Sequence, residues 1–287
     1  MHIEATTRCN AWCPGCSRSN NGYGIKKNLE IQDLSLNKLK DILSKFPNCN
    51  TVQLCGNDGD PCAAKNILDQ IKIIKNTESV KFLQIHTNGS LRSKQWWENL
   101  ASQNQDINLE VWFGIDGLED THAIYRQGTD FKKILSNASS FISKGGKAVW
   151  QFLVFAHNEH QLLDAYKLSK TMKFSKFLPV KHTTVSGQER HYKTGELLGL
   201  KKSNLKQVEN LINDANNTIF KKNCMHLNLP SVYLSASGSL FPCCYLARTY
   251  ENEEFPEESK NEFNIKREFE TKSFRKKCLR TCGSIQT

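Results

Sequence analysis

The sequence predicts an α/β protein: six parallel strands with helices between them, as a partial (β/α)6 barrel or an open wound sheet, then a small α+β region. Three observations carry this. Short β-like runs alternate with helix-period segments over the first ~180 residues, the pattern that calls for right-handed crossovers and a helix-covered parallel sheet. Glycine, asparagine, aspartate and cysteine gather just after the strand-like runs, where such folds place their chemistry. Near residue 182 the alternation stops and the chain turns polar and basic.

Taken in order, Met1 to Ala5 reads as a strand. Ser35 is an expected N-cap, followed by Leu36, Leu39, Ile42, Leu43 and Phe46 on one helical face. Thr51 to Cys55 is a strand, and Ala63 to Asn76 a helix with Ile67, Leu68, Ile71 and Ile74 inward. Val80 to His86 is a strand and Lys94 to Ser102 a helix. Leu109 to Gly114 is a strand, and Phe131 to Lys144 a helix stopped by Gly145-Gly146. Ala148 to Phe155, Glu159 to Met172 and Ser175 to Val180 complete the series as strand, helix and strand. This sets the expected domains at 1–185 and 186–287.

In the second part, His182 to Lys202 reads as a linker or substrate loop, and Ser203 to Thr218 as a helix. Val232 to Leu234 and Ser239 to Phe241 flank Ser235-Ala236-Ser237-Gly238, a β-hairpin pattern. Glu251 to Glu262 is an acidic, solvated stretch, and Lys266 to Lys277 a basic helical one that leads to Cys278 and Cys282.

The chain has 287 residues, 11 of them cysteine, and a formal charge of +10. An odd cysteine count in a chain of this length, with no apolar leader at Met1 to Cys9, is a poor disulfide framework. No stretch approaches the ~20 apolar residues of a membrane helix. The expectation is a cytoplasmic protein, with no membrane partner, whose cysteine clusters serve metal binding or catalysis. Cys49, Cys55 and Cys62 read as buried or incidental thiols, Cys62 near the site's rim.

Cys9, Cys13 and Cys16 form C-x3-C-x2-C directly after the first strand. Three thiolates on one loop suit a cubane [4Fe–4S] cluster with one iron left open. A structural zinc site wants four protein ligands, and ferredoxin runs supply a fourth cysteine. Cys9-Asn10-Ala11-Trp12-Cys13-Pro14-Gly15-Cys16, with its aromatic before the second cysteine, resembles the signature of radical S-adenosylmethionine (SAM) enzymes. Gly56-Asn57-Asp58-Gly59-Asp60-Pro61 stands where that family has Gly-Gly-Glu-Pro, with Gly59, Asp60 and Pro61 as the surviving core and Asp60 in place of glutamate. Ile85-His86-Thr87-Asn88-Gly89 resembles its third-strand motif, and Gly114-Ile115-Asp116-Gly117 with His122, Tyr125 and Arg126 its fourth.

The resemblance implies a partial (β/α)6 TIM-like barrel. It implies a [4Fe–4S] cluster on Cys9, Cys13 and Cys16 that binds SAM and cleaves it to a 5′-deoxyadenosyl radical. Asp60 would hold the SAM amino group, Thr87, Asn88, Asp116 and Arg126 would line the ribose and carboxylate end, and Val154 would pack on adenine. His122 reads equally as a packing residue. A reductant such as flavodoxin or ferredoxin is the implied partner.

Cys224, Cys243, Cys244, Cys278 and Cys282 fall in the last quarter. Their layout around the hairpin is similar to the shortened auxiliary-cluster domain, called twitch, of radical SAM enzymes; the full SPASM form needs more cysteines. On that likeness Cys224, Cys243, Cys278 and Cys282 hold one auxiliary [4Fe–4S] cluster, with Cys244 spare because neighbouring strand residues face opposite ways. Four cysteines at this spacing also suit structural zinc.

The expected function is a radical SAM oxidoreductase that removes hydrogen from its substrate, the auxiliary cluster taking the second electron. The charge favours an anionic partner, a small molecule or nucleotide, with basic residues concentrated at Lys173 to Lys206 and Lys260 to Arg280. The absence of a recognition domain before the first strand disfavours leader-peptide substrates. The rival outcomes are epimerisation, thioether or other bond formation on a peptide or nucleotide. The rival class is a non-catalytic metal-binding protein that meets nucleic acid through its basic surface.

Overall fold

A computed structural model describes residues 1–181, 186–203, 232–241, 243, 244 and 247. The six expected strands are β1 (His2–Glu4), β2 (Thr51–Cys55), β3 (Phe82–Thr87), β4 (Asn108–Gly114), β5 (Lys147–Val154) and β6 (Lys176–Lys181). Each pairs in parallel with the next. Ile3, Leu54, Ile85, Val111 and Ala148 stand in register across the sheet, all buried on the helix-covered face. The alternate positions, His2, Gln53, Gln84 and Glu110, form a polar row on the other face. Period-2 alternation thus divides a core face from an open one.

The helices are α1 (Leu36–Lys45), α2 (Ile67–Lys75), α3 (Lys94–Ser102), α4 (His122–Tyr125), α5 (Phe131–Ser143) and α6 (Leu162–Thr171). Side-chain caps at Ser93 and Asp130 accept the Trp96 and Lys133 amides, which fixes the starts of α3 and α5. Ser35 occupies the N-cap position of α1, but its hydroxyl makes no capping bond; its carbonyl takes the Leu39 amide. Trp97, Phe113, Phe141 and Trp150 fill the space between the helices and the middle strands.

The Ala63–Asn76 expectation needs correction. Asp60 caps a 3₁₀ turn, Pro61–Ala63, and α2 starts only at Ile67. With that start, Leu68 turns outward at 51% exposure and Gln70 turns inward at 0%. Gln70 Nε2 donates to the Ala5 carbonyl at 3.0 Å, tying α2 to the end of β1. Glu159 likewise opens a 3₁₀ turn, Glu159–Gln161, before α6.

The described part of the basic segment, 186–203, packs against the loops that follow β1 and β5. Ala156 N–H donates to Lys201 O, Arg190 N–H to Asn21 O, and Tyr192 stacks on Trp12 at 5.9 Å between centroids. The expected hairpin is present as β7 (Tyr233–Leu234) and β8 (Leu240–Phe241). β7 pairs in parallel with β1, so the hairpin extends the sheet to the order β6-β5-β4-β3-β2-β1-β7-β8. The expected helix after Ser203, the acidic and basic tail segments, Cys224, Cys278 and Cys282 lie outside the described residues.

Candidate active site

The motifs meet at the C-terminal ends of β1 to β5. Cys9, Cys13 and Cys16 pack with Ala11, Ile124, Tyr125, Leu153, Phe155, Leu198 and Leu200 in one apolar cluster apart from the main core. The loop is held by backbone contacts: Trp12 N–H donates to Gln127 O at 2.9 Å, and Cys16 N–H to Cys13 O at 3.0 Å. Gly128, at φ +78°, passes so close to Asn10 O that a Cβ there would stand 2.9 Å from it.

Cys9 and Cys13 each have a donor beside the sulfur, whereas the Cys16 thiol itself donates. Ala11 N–H lies 3.3 Å from Cys9 Sγ, and Asn88 Nδ2 3.8 Å from the same sulfur. Arg126 Nη1 lies 3.8 Å from Cys13 Sγ. Cys16 Sγ lies 3.8 Å from the Asn57 carbonyl. Burial pushes the Cys9 thiol well up and the Cys13 thiol up to about 11. Such thiols become thiolates when a cation takes the proton's place.

Among the described residues no three His, Cys, Asp or Glu side chains gather closely enough to hold one metal ion. Zinc bonds sulfur at about 2.3 Å, which demands close sulfurs; a cluster of several irons is held by thiolates spread more widely. Three cysteines on one loop, Cys13 buried and Cys9 and Cys16 half-buried, with donors beside Cys9 and Cys13, fit the wider group.

Asp60 is 3% exposed, and its carboxylate is fully engaged by the protein. It accepts the Thr87 hydroxyl at 2.9 and 3.0 Å, the Asn88 amide at 2.7 Å and the Cys62 amide at 2.9 Å. Burial still raises it above the ordinary carboxylate range, against the Asn88 and Thr87 bonds. Its observed work is to join the β2 and β3 loops. Gly59 and Pro61 frame it: Gly59 lies against the Thr6 carbonyl, and Pro61 starts the 3₁₀ turn.

Asn88 connects the third strand to the cysteine loop. Its Nδ2 donates to Asn10 Oδ1 at 2.9 Å, and Asn10 Nδ2 donates to Ser90 Oγ at 2.7 Å. Asp116, at 0% exposure, accepts Arg126 Nε at 2.5 Å and the Leu153 amide at 2.7 Å. Gly114 leaves room for that arginine: a Cβ there would stand 2.6 Å from Arg126 Nη2. His122 is a packing residue in this arrangement, its Nδ1 accepting the Asp116 amide at 3.2 Å.

Val154 lies in the main core at 0% exposure. Its neighbour Leu153, on the opposite strand face, is the one that packs with the cysteine loop. Cys243 is buried, while Cys244 packs with Cys55, Tyr233, Phe241 and Ala247. Glu4, Ser17 and Tyr233 lie outside the motifs, and Asn57 and Asp58 within theirs had no assigned role; together they join the cysteine loop to β2 and the hairpin. The signal for Glu4 was a carboxylate between Ile3 and Ala5 at the end of a strand run.

No protein-family model matches this chain. The chain is 24% identical over 206 residues to a GTP 3′,8-cyclase of Alkaliphilus oremlandii, covering 69% of this chain and 62% of that protein. It is 26% identical over 112 residues to a GTP 3′,8-cyclase of Vibrio parahaemolyticus, covering 38% and 33%. It therefore matches less than two thirds of either relative's length. Among solved structures, Streptococcus suis SuiB bound to S-adenosylmethionine superposes with a TM-score of 0.62 at 14% identity, covering 89% of this chain and 61% of SuiB. anSMEcpe with bound AdoMet and the Cp18Cys peptide superposes at 0.58 and 18% identity, covering 98% and 86%. The resemblance to radical S-adenosylmethionine enzymes carried by the ordered motifs thus holds in the fold and in the sequence likeness alike.

Proposed function

We propose that this chain is a radical SAM enzyme acting on an anionic substrate of the nucleotide class. The observation that carries the reading is the convergence of Cys9, Cys13 and Cys16 with the Asp60–Thr87–Asn88 and Asp116–Arg126 networks at one end of a parallel sheet. When bound, a [4Fe–4S] cluster with SAM supplies an electron that splits the sulfonium and yields a hydrogen-abstracting 5′-deoxyadenosyl radical. The chain's own part is to present three thiols on one loop, those of Cys9 and Cys13 desolvated, to hold Arg126 beside Cys13 through Asp116, and to exclude water with Tyr125, Phe155 and Leu200.

The charge of +10 supports the anionic part of the substrate, and the printed activity of the two cyclase relatives supports a nucleotide. The open sheet face offers the neutral part amides and rings: Gln53, Gln84 and the stacked His86–Trp112 pair, 4.7 Å between centroids. A net oxidation, with an auxiliary cluster on Cys224, Cys243, Cys278 and Cys282 as electron acceptor, is the first outcome. Bond formation within the substrate is the second, favoured by the cyclase likeness.

Anaerobic reconstitution tests this. Roughly eight irons per chain and reductant-dependent release of 5′-deoxyadenosine are expected, with deuterium carried into it from a labelled substrate. Replacing Cys9, Cys13 and Cys16 by alanine abolishes the cleavage. Zinc in place of iron, or an intact cluster that leaves SAM whole, rejects the proposal.

A further inference from the structure

Glu4 is a buried carboxyl to which the proposed chemistry gives no task. It ends β1 on the sheet face away from the helices, opposite Cys55, and is 1% exposed. A carboxyl group at such a position costs free energy unless its hydrogen bonds are used. Here they are aimed at one turn. Oε1 accepts the Asn57 amide at 2.9 Å and the Cys55 thiol at 3.1 Å, and Oε2 accepts the Asp58 amide at 3.3 Å.

The peptide group between Asn57 and Asp58 is therefore gripped from both sides. Glu4 takes its N–H, while its carbonyl accepts the Ser17 hydroxyl at 2.6 Å and lies 3.8 Å from Cys16 Sγ. The Asp58 side chain adds a second tie, accepting the Ser17 hydroxyl at 2.9 Å and the Tyr233 hydroxyl at 3.4 Å. Arg18 Nε donates to the Asp58 carbonyl at 3.2 Å. Through one peptide, Glu4 sets the distance between the third cysteine and the turn that ends in Asp60.

We propose that Glu4 is a positioning residue: its carboxyl clamps the 57 and 58 amides so that the turn and the cysteine loop keep the spacing that SAM binding requires. This rests on the radical SAM reading. Glu4→Gln and Glu4→Ala are compared with the unaltered full chain in three measurements: amide hydrogen exchange of the metal-free protein, iron content after reconstitution, and SAM concentration dependence of reductant-driven 5′-deoxyadenosine release.

The expected result is exchange at Asn57 and Asp58 about tenfold faster, the effect of one lost hydrogen bond, with β3 and β4 amides unchanged. Iron content stays level, and KM for SAM rises about tenfold while kcat changes less than about twofold. Exchange and KM like the unaltered chain in both variants overturn the proposal. Iron loss with faster exchange throughout the sheet in both variants also overturns it, because Glu4 then serves the whole fold. If the unaltered chain takes up iron and leaves SAM intact, the functional reading fails separately, and the exchange measurement still decides the clamp.

Discussion

Arg126 Nε sits 2.5 Å from Asp116 Oδ2, and the same guanidinium reaches Cys13 Sγ at 3.8 Å. The pair is removed from water on the carboxylate side, where Asp116 is fully buried. Burial opposes the arginine's charge, and its neighbours, the Asp116 carboxylate first among them, together offset it. Removing one partner of a buried pair strands the other charge, which costs about 3–5 kcal/mol. Asp116→Ala should lower the unfolding free energy from urea titration by that much and lower iron uptake, since Arg126 then loses its place beside Cys13. A loss below about 1 kcal/mol would show that water replaces the carboxylate.

Asp60 makes a second prediction, separate from any contact with SAM. Its oxygens take two backbone amides and a hydroxyl. Asparagine offers one acceptor oxygen and turns an NH2 toward a donor, so Asp60→Asn should destabilise the chain by about 1–3 kcal/mol. Thr87→Val, which removes only the hydroxyl, should cost about 1 kcal/mol. Equal losses in thermal unfolding for the two variants would contradict the amide contacts.

Gly59 is required by a close approach of backbones. Asp60 N–H donates to Arg8 O at 2.7 Å, and a Cβ on Gly59 would sit 2.1 Å from the Thr6 carbonyl oxygen and 2.9 Å from Arg8 O. Both neighbours are backbone in the strand-end that leads to Cys9, so neither can swing aside. Gly59→Ala should lower stability by about 1–3 kcal/mol and reduce iron uptake in reconstitution. Gly24→Ala is the comparison: at φ +77° its Cβ meets no atom within 4 Å, so it carries only backbone strain of about 1–2 kcal/mol and should leave iron uptake unchanged. Matching behaviour of the two would rule out the close approach.

Strand positions were legible because alternation survives in each of them, and the cysteine, Thr-Asn-Gly and Asp-Gly motifs could be ordered against those strands. What escaped the sequence was phase. Leu68 looked inward on a helix begun at Ala63, but Asp60-Pro61 starts a 3₁₀ turn that resets the helix and puts Gln70 in its place. Val154 and Leu153 differ by one residue and therefore by a sheet face, so a one-position choice decides which meets the cysteine loop. The strap at 186–203 was opaque because its order comes from long-range contacts, Tyr192 on Trp12 and Arg190 with Asn21, rather than from periodicity.

Glu4 gives the fold a pH dependence opposite to that of the buried histidines. Burial, with the Asp58 charge behind it, lifts its pKa from 4.5 to about 8. The folded chain keeps a proton that the unfolded chain releases between those values. Its contribution to stability is whole below about 4.5 and is lost as pH rises through about 8. His86 and His157, pushed from 6.5 down to about 4 by burial, and His122, pushed to about 3, take up protons first in the unfolded chain. They favour folding as pH rises toward 6.5 and then fall silent. Between about 6.5 and 8 Glu4 is left to act, and stability should decline by no more than about 1.4 kcal/mol per pH unit. Glu4→Gln has no titrating group there, so the difference between the two chains isolates the carboxyl from thiols that titrate at higher pH. Urea midpoints of both chains across this window are the measurement. The unaltered chain should lose stability relative to Glu4→Gln as pH rises, and parallel curves would place the Glu4 proton elsewhere.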